Sequence, residues 1–307
     1  MSATNNPLWS TLDGFQADLQ SGGAPLAIGR LASSLAQHRT AMPAEAWKAS
    51  CATLGDHPAV VQLLEDPYSR DARLKPAGYA GDARTLDYVY LRDPGSQTVT
   101  SVGRALFDVS TGVPIAAAVR DRCVALADDL TRRARHRTIS VASIACGHAR
   151  ELDRVPDDVR GRIQFWGIDQ DAKSIDYCRS HVDAGQARFE VGSVRDVIAG
   201  RIRIPQSDVV YASGLFDYLD QRAGAVLLQR MFASVPIGGS VLVPNLTPHN
   251  DEVGYMEAVM DWWMCYRTEA DMRELAGLLR ADPGQFRTTT SLESGNRIAW
   301  LQIDRLG

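Results

Sequence analysis

Residues 138–172, TISVASIACGHARELDRVPDDVRGRIQFWGIDQDA, contain two short apolar runs, each followed by turn or acidic residues. TISVASIA at 138–145 precedes the turn ACGHAREL, and RIQFWGI at 162–168 precedes Asp169. A short apolar run rich in branched and aromatic residues and bounded by turn residues indicates a buried strand. We therefore predict two neighbouring strands of an α/β sheet here, with a ligand-binding turn after the first.

Five more runs of the same kind follow, and they alternate with helical patterns. They are ARFEV at 187–191, DVVYAS at 208–213, SVLVPNL at 240–246, FRTTTSL at 286–292 and RIAWLQI at 297–303. Strands that alternate with helices are typical of a parallel sheet covered by helices. The second part of the chain is thus predicted to be an α/β domain with seven strands.

The first 135 residues lack this strand pattern and are predicted to be helical. The clearest helix starts near Pro114, a favourable residue for a first turn, and ends in the basic cluster TRRARHR. Its predicted buried face consists of Ile115, Val119, Cys123, Leu126 and Leu130. We expect two parts, a helical region at 1–135 and an α/β domain at 136–307.

Composition disfavours some classes of function. The 307 residues are 45% hydrophobic and 23% charged, and the formal net charge of −4 provides no general attraction to nucleic acid or to anionic membranes. The N-terminus lacks the basic and apolar segments of a secretory signal, and no apolar run is long enough to span a membrane. The five scattered cysteines form no metal-ligand motif. We expect a cytoplasmic protein that binds a small molecule, with no metal, nucleic acid or membrane.

In an open α/β sheet the ligand lies beyond the carboxyl ends of the strands. Gly147 lets the backbone approach a ligand closely, and the small Ala145 and Cys146 keep the turn compact. Asp169 follows Gly147 by 22 positions (169 − 147), the spacing at which an acid accepts hydrogen bonds from ribose hydroxyls. Asp171 is an alternative ribose ligand, and either acid could instead cap the next helix.

Two further loops complete the predicted cofactor site. Ser193 and Val194 follow the third strand and are placed to bracket an adenine ring. Gly214 and Leu215 follow the fourth strand and are expected to face the reactive end of the cofactor.

At these residues the chain resembles class I S-adenosylmethionine-dependent methyltransferases, with SIACGHAREL as the first cofactor motif and WGIDQDA as the second. The resemblance implies a Rossmann-like seven-stranded sheet whose last two strands form an antiparallel pair, and S-adenosyl-L-methionine as cofactor. We expect the N-terminal helical region to form a lid over the acceptor, because a bare Rossmann-like half leaves its ligand open on one side and methyl transfer benefits from exclusion of water. The chain departs from the common pattern at three positions. Ser143 stands where many members carry an acid that contacts the methionine amino group, and Ala145 and Ala149 replace glycines.

Three other segments resemble a bacterial subgroup associated with biosynthesis of 3-hydroxypalmitic acid methyl ester. They are KPAGYAGD at 75–82, SGLFDYL at 213–219 and PNLTPHNDEVGYMEAVMDWWMCYRT at 244–268. The resemblance implies methyl transfer to a small molecule. It does not fix the acceptor, because one scaffold can host different chemistry.

These segments supply the candidates for the acceptor site. Asp217, Glu257 and Tyr79 are predicted to take part in the chemistry, and the predicted substrate-binding residues are Asp82, Tyr218, His249, Trp262, Tyr266 and Arg267. A helix from about Gly254 would place Glu257 and Asp261 on one face, where they could hold a cationic acceptor beside Trp262. Arg267 would then bind a substrate carboxylate.

Each candidate also has a structural interpretation. Trp262 suits core packing, Arg267 could pair with Glu257 or Asp261, and His249 could be an exposed loop residue. Asp217 could cap a helix, and Asp82 could fix a turn.

The excess of acidic residues favours N-methylation of an amino-acid-like or guanidino metabolite, and the alternative is carboxyl O-methylation of a hydroxy fatty acid. A nicotinamide-dependent oxidoreductase is a weaker candidate because ACGHAREL lacks the G-x-G-x-x-G fingerprint. A binding module without catalytic activity is the other weaker candidate.

Overall fold

The computed structural model describes residues 6–182 and 187–307. Residues 1–5, on which the prediction about a secretory signal partly depends, lie outside the described residues. The chain divides into two compact units, one formed by Met1–Val119 with His249–Trp263 and the other by Arg120–Pro248 with Met264–Gly307. The sequence placed a single boundary after residue 135 and did not indicate that 249–263 belongs with the N-terminal residues.

Helices make up the first unit and flank the sheet in the second. In chain order they are α1 (Pro7–Ala41), α2 (Ala44–Cys51), α3 (Pro58–Leu63), α4 (Pro67–Leu74), α5 (Ala83–Leu91), α6 (Ser101–Ser110), α7 (Pro114–Ala134), α8 (Asp157–Arg160), α9 (Ala172–His181), α10 (Val194–Ile198), α11 (Gln221–Ala233), α12 (Val253–Ala258) and α13 (Glu269–Gly277). All five residues of the predicted apolar face of α7 are buried, so that helix is confirmed.

Close packing of α12 against α1 explains why a segment late in the chain belongs to the helical unit. A Cβ atom added at Gly254 would lie only 2.7 Å from the carbonyl carbon of Leu35, so the two backbones touch at this position. Tyr255, Met256 and Ala258 are buried on the same short helix. Apolar burial and close backbone contact hold 249–263 in the first unit.

The second unit contains the predicted seven-stranded sheet. Its strands are β1 (Ile139–Ile144), β2 (Ile163–Asp169), β3 (Ala187–Val191), β4 (Val209–Tyr211), β5 (Ser240–Leu246), β6 (Phe286–Glu293) and β7 (Ile298–Arg305). They lie in the order β3-β2-β1-β4-β5-β7-β6. The first five are parallel, and β7 is antiparallel to both β5 and β6. The predicted fold class and the antiparallel final pair are confirmed.

The strand order creates a crevice between β1 and β4. The chain leaves β1 toward β2 on one side and later returns to β4 on the other, so the loops after these two strands diverge. Apolar residues of the strands pack against α10, α11 and α13 in one continuous core. This core holds the strands rigid and leaves their carboxyl-end loops to bind a ligand.

Within the described residues, no single helix is both long and apolar enough to cross a membrane, although α6 and α7 together pass that test as a bent pair. The same residues contain no group of three or more His, Cys, Asp or Glu side chains that could hold a metal ion.

Candidate functional site

The turn after β1 has an unusual backbone. Ala145, Gly147 and Ala149 have φ angles of 56°, 53° and 49°, in the left-handed region that favours glycine. Two of these are the alanines that replace glycines of the first cofactor motif. The turn therefore keeps a conformation suited to glycine even where the side chain is a methyl group.

Replacing Ala145 with glycine should stabilise the protein, because glycine adopts a positive φ without the steric cost that an alanine bears. The expected gain in the free energy of unfolding is up to about 1 kcal/mol, after allowance for the extra freedom of glycine in the unfolded chain. Urea denaturation measures it. Ala172→Gly, on the exposed first turn of α9, is the matched control and should lose stability. Equal losses in both variants would contradict the strain at Ala145.

Asp169 ties the end of β2 to this turn. The side chain is buried, and its two carboxylate oxygens each accept a backbone hydrogen bond of 2.9 Å, from Gly147 N and from Asp171 N. Burial raises the pKa of the carboxyl group, and the two backbone donors oppose the rise. Asp169 therefore lies where ribose binding was predicted, and that role stays a prediction.

Asp171, the alternative ribose ligand, caps α9. Its carboxylate accepts hydrogen bonds from Lys173 N at 3.1 Å and from Ser174 N at 3.2 Å. The Ser174 hydroxyl donates to it at 2.7 Å. The structure thus gives Asp171 the capping role that the sequence left open.

Cys146 lies inside the turn and is buried. The Cys178 thiol of α9 donates to the Gly147 carbonyl at 3.2 Å, and the Cys146 thiol lies 3.7 Å from the same oxygen. A hydrogen bond with Cys178 and burial raise the pKa of Cys146. Both side chains therefore pack the turn against α9.

The loop after β3 is also a helix start. The Ser193 hydroxyl accepts a hydrogen bond from Asp196 N at 3.2 Å and donates to the Asp196 carboxylate at 2.6 Å, so it caps α10. Val194 is the half-buried first residue of that helix. The predicted adenine contact therefore depends on the Ser193 backbone and the Val194 side chain, because the serine hydroxyl has a structural role.

The loop after β4 lies directly over an arginine. Gly214 has a φ of 92°, and a Cβ atom added there would lie 3.1 Å from Nη2 of Arg122. Arg122 is contributed by α7 and is almost fully buried. Leu215 is half-buried and packs on the apolar core, and Tyr218 at the end of the loop is exposed.

Asp217 is buried in this loop and bridges two elements. One carboxylate oxygen accepts a 2.8 Å hydrogen bond from Leu246 N at the end of β5, and the other lies 3.4 Å from Nη1 of Arg122. Burial raises the pKa of Asp217 to about 6, although the neighbouring Arg122 and the Leu246 amide lower it. Asp217 therefore positions Arg122 and joins β5 to the loop.

The Arg267 side chain is buried and hydrogen-bonded to other protein groups. Its Nη1 atom donates to the Phe216 carbonyl at 2.6 Å and to the Asn245 side chain at 2.8 Å, and its Nη2 atom donates to the Leu219 carbonyl at 2.5 Å. This buried guanidinium fastens the loop after β4 to β5. The contacts that the structure shows are therefore structural, and the role of Arg267 as a substrate carboxylate anchor stays a prediction.

Glu257 is likewise hydrogen-bonded to other residues of the helical unit. Its carboxylate accepts hydrogen bonds from Arg39 Nε at 2.7 Å, from Arg39 Nη2 at 3.1 Å and from Trp47 Nε1 at 2.7 Å. The carboxylate is almost fully buried by these neighbours. Both oxygens thus accept from protein groups, and the role of Glu257 as proton acceptor stays a prediction.

The predicted pairing of Glu257 with Asp261 on one helix face does not occur. The helix α12 ends at Ala258, and Asp261 lies beyond it with a φ of 48°. Asp261 pairs instead with Lys75 and accepts a 2.7 Å hydrogen bond from the indole of Trp263. A spacing of four residues does place two side chains on one helix face, but α12 ends before it reaches Asp261.

The other acceptor candidates lie in varied environments. Asp82 caps α5 by accepting from the Thr85 amide and hydroxyl, each at 3.0 Å, so the turn role left open for it is close to the observed one. Trp262 is buried edge-to-face against Tyr68 at 6.2 Å and is a core residue. Tyr79 and Tyr266 are half-buried and His249 is exposed. The acceptor roles of these last three stay predictions.

Two buried polar residues near the turn were not singled out in the sequence. Glu151 is the penultimate residue of the quoted motif ACGHAREL and accepts a hydrogen bond from the Tyr211 hydroxyl at the end of β4. Burial raises the pKa of Glu151, and Arg122 opposes the rise. Glu151 and Arg122 occur in ordinary helical and turn patterns, so no spacing marks them. Only the approach of β1, β4 and α7 brings them together.

No protein-family model and no curated protein sequence matches the chain significantly. Among solved structures, a possible exported protein from Bordetella parapertussis is similar over 100% of both chains, with 18% sequence identity and a TM-score of 0.63. An O-methyltransferase family protein from Burkholderia thailandensis matches 98% of this chain and 93% of its own, at 16% identity and a TM-score of 0.47. Magnesium protoporphyrin IX methyltransferase from Synechocystis PCC 6803 with bound SAH matches 72% and 98%, at 13% identity and 0.47. Only the first likeness is close enough to carry weight, and it shows the fold alone.

Proposed function

We propose that this chain is an S-adenosylmethionine-dependent methyltransferase that acts on a small molecule. The observation that carries the proposal is the left-handed turn at Ala145, Gly147 and Ala149, joined through the Gly147 amide to the buried Asp169. This arrangement brings the backbone of the turn and a carboxylate that is predicted to bind ribose together at the crevice where an open α/β sheet binds its ligand.

The electrostatics of the crevice support the same cofactor. Asp169, Glu151 and Asp217 are buried carboxyl groups whose pKa values are raised by burial. A neighbouring positive charge stabilises the ionised form of a carboxyl group in such surroundings. S-adenosylmethionine fits because its sulfonium is cationic and its amino-acid end is a zwitterion.

When bound, the cofactor would supply an electrophilic methyl group, and the protein chiefly needs to orient the acceptor and exclude water. Asp169 and the turn would hold the adenosine end, and Gly214 and Leu215 would line the end that carries the sulfonium. The lid role of residues 1–135 stays a prediction.

Asp169→Asn should weaken binding of S-adenosylhomocysteine about ten- to a hundredfold, because a charge-assisted hydrogen bond to the ribose is lost. Titration calorimetry measures the affinity. Asp171→Asn is the matched control: asparagine caps helices as well as aspartate does, so that variant should bind normally. Normal binding by the Asp169 variant would remove Asp169 from the cofactor site.

Wild-type protein should bind S-adenosylhomocysteine and not NAD in the same calorimeter. Tight NAD binding without S-adenosylhomocysteine binding would replace this proposal with the oxidoreductase. Binding of S-adenosylhomocysteine without methyl release from labelled cofactor, across a broad set of acceptors, would favour the binding module.

For the acceptor, we propose an oxygen nucleophile, most simply a carboxylate, in place of the cationic nitrogen favoured by the sequence. The nitrogen hypothesis needs a carboxylate that can hold a cation and accept its proton. In the part of the chain that the structure describes, Asp82, Asp217, Glu257 and Asp261 all have protein donors on their carboxylates. A carboxylate acceptor is already nucleophilic and needs no such group, and it agrees with the resemblance to the methyl ester subgroup.

A mass-spectrometric screen of hydroxy fatty acids, amino acids and guanidines with labelled cofactor tests this proposal. We expect a product that gains one methyl group and loses it in mild base, as an ester does. A base-stable methylamine or methylguanidine as the product would restore the nitrogen hypothesis.

A further inference from the structure

The first cofactor motif of this chain has lost its acid but has kept a hydrogen-bonded path from that position to another carboxylate. Ser143, at the position of the acid, is the Cα partner of Tyr211 in the ladder between β1 and β4. The Ser143 and Tyr211 hydroxyls are hydrogen-bonded, and the Tyr211 hydroxyl in turn donates to Glu151. The carboxylate missing at 143 is thus present at 151, at the other end of the same turn.

Burial of the Glu151 carboxylate costs free energy, and a structural role alone does not account for that cost. The Glu151 side chain is buried and accepts a hydrogen bond from the Tyr211 hydroxyl, and Tyr211 and its strand neighbour Ser143 are buried as well. A buried carboxylate is tolerated where a cation or several donors compensate it. A ligand ammonium group would provide that compensation.

Arg122 provides the complementary charge. Its guanidinium lies under the backbone of Gly214 and 3.4 Å from Asp217, and its field also acts on Glu151. This guanidinium therefore pairs with one buried carboxylate and acts electrostatically on a second, beside the loop that is predicted to face the reactive end of the cofactor. A guanidinium fork is the side chain best matched to a carboxylate.

We propose that Glu151 binds the ammonium group and Arg122 binds the carboxylate group of the amino-acid end of S-adenosylmethionine, with Asp217 positioning Arg122. The proposal rests on the proposed function, because it assumes that this cofactor occupies the crevice. It assigns to Glu151 the contact that an acid at position 143 would otherwise make.

Two ligands separate this contact from the rest of the cofactor site. S-adenosylhomocysteine and 5′-methylthioadenosine both contain adenosine and an uncharged thioether, and only the first has the amino-acid end. Glu151→Gln should weaken binding of S-adenosylhomocysteine at least about tenfold and leave 5′-methylthioadenosine unchanged in calorimetry. Unchanged binding of both ligands, or equal weakening of both, would overturn the assignment of Glu151.

The role of Arg122 is tested with a variant that does not leave Asp217 as an unpaired buried charge. The double variant Arg122→Met with Asp217→Asn keeps the pair neutral and should lose affinity for S-adenosylhomocysteine alone. Gly214→Ala should act in the same direction, because its methyl group would press on the guanidinium. Gly238→Ala is its control, since that glycine also has a positive φ, of 82°, but no atom lies within 4 Å of the added Cβ. Equal affinities in the Gly214 and Gly238 variants, together with normal binding by the double variant, would exclude Arg122.

A rescue experiment distinguishes a specific contact from general damage. Adding Ser143→Asp to the Glu151→Gln variant returns an acid to the usual position beside Tyr211, and it should restore most of the lost affinity for S-adenosylhomocysteine. No recovery would count against the exchange of positions 143 and 151. If the wild-type protein binds neither ligand, the proposed function itself fails, whereas wild-type binding with an unaffected Glu151 variant overturns only this inference.

Discussion

Replacing Arg39 with methionine should destabilise the helical unit by about 2–3 kcal/mol, because it leaves the Glu257 carboxylate buried with the Trp47 indole as its remaining strong donor. About a third of the Arg39 side chain is exposed, so the expected loss of stability lies at the low end of the range for buried ion pairs. Urea denaturation followed by tryptophan fluorescence measures the loss. Removing both charges with Arg39→Met and Glu257→Met should recover most of it.

Lys75→Met is the control for this prediction. Its partner Asp261 is half-exposed, so the loss should stay below about 1 kcal/mol. Glu257→Gln should leave cofactor binding and turnover unchanged at temperatures where the variant is folded. A selective fall in turnover with normal stability would return Glu257 to the acceptor site.

Asp217→Asn should change the pH dependence of stability by about 3 kcal/mol in total. Burial raises the pKa of Asp217 from 3.8 to about 6 in the folded protein, so the folded state binds the proton more tightly than the unfolded state does. The stabilisation from this group is complete below pH 3.8 and is lost as the pH rises through 6. The asparagine variant has no such loss.

The free energy of unfolding of the wild-type protein should therefore fall relative to that of the Asp217→Asn variant as the pH is raised from 4 to 8. About half of the change should occur above pH 5, within the range where denaturant titrations are practical. Asp208 is the control, because its pKa shifts in the opposite direction from that of Asp217. Burial raises the pKa of this partly buried carboxyl group, but its hydrogen bonds with Arg137 and Ser140 lower the pKa overall. A constant difference between wild type and the Asp217 variant across this range would show that Asp217 stays ionised in the folded state.

The sequence alone determined the sheet. Most of the seven strands are short apolar runs with turn residues on both sides, and this pattern follows directly from burial of a strand between helices. The largely exposed β6 is marked instead by its β-branched threonines. Asp169 and the turn at Gly147 could be located for the same reason, because a ligand-binding turn comes immediately after its strand in the sequence. Local patterns of this kind need no knowledge of distant residues.

Only the tertiary structure decided which polar side chains are paired with other protein groups and which polar side chains meet at the crevice. The spacing of Glu257 and Asp261 was compatible with a substrate cradle, but α12 ends between them and Arg39 and Lys75 pair with them from distant elements. Glu151 lies within the quoted turn motif but no spacing marks it, and Arg122 lies in an ordinary helical pattern. Only the fold brings both of them to the end of β4. Charged groups buried together compensate one another through contacts between residues far apart in the chain, and no local pattern encodes such contacts.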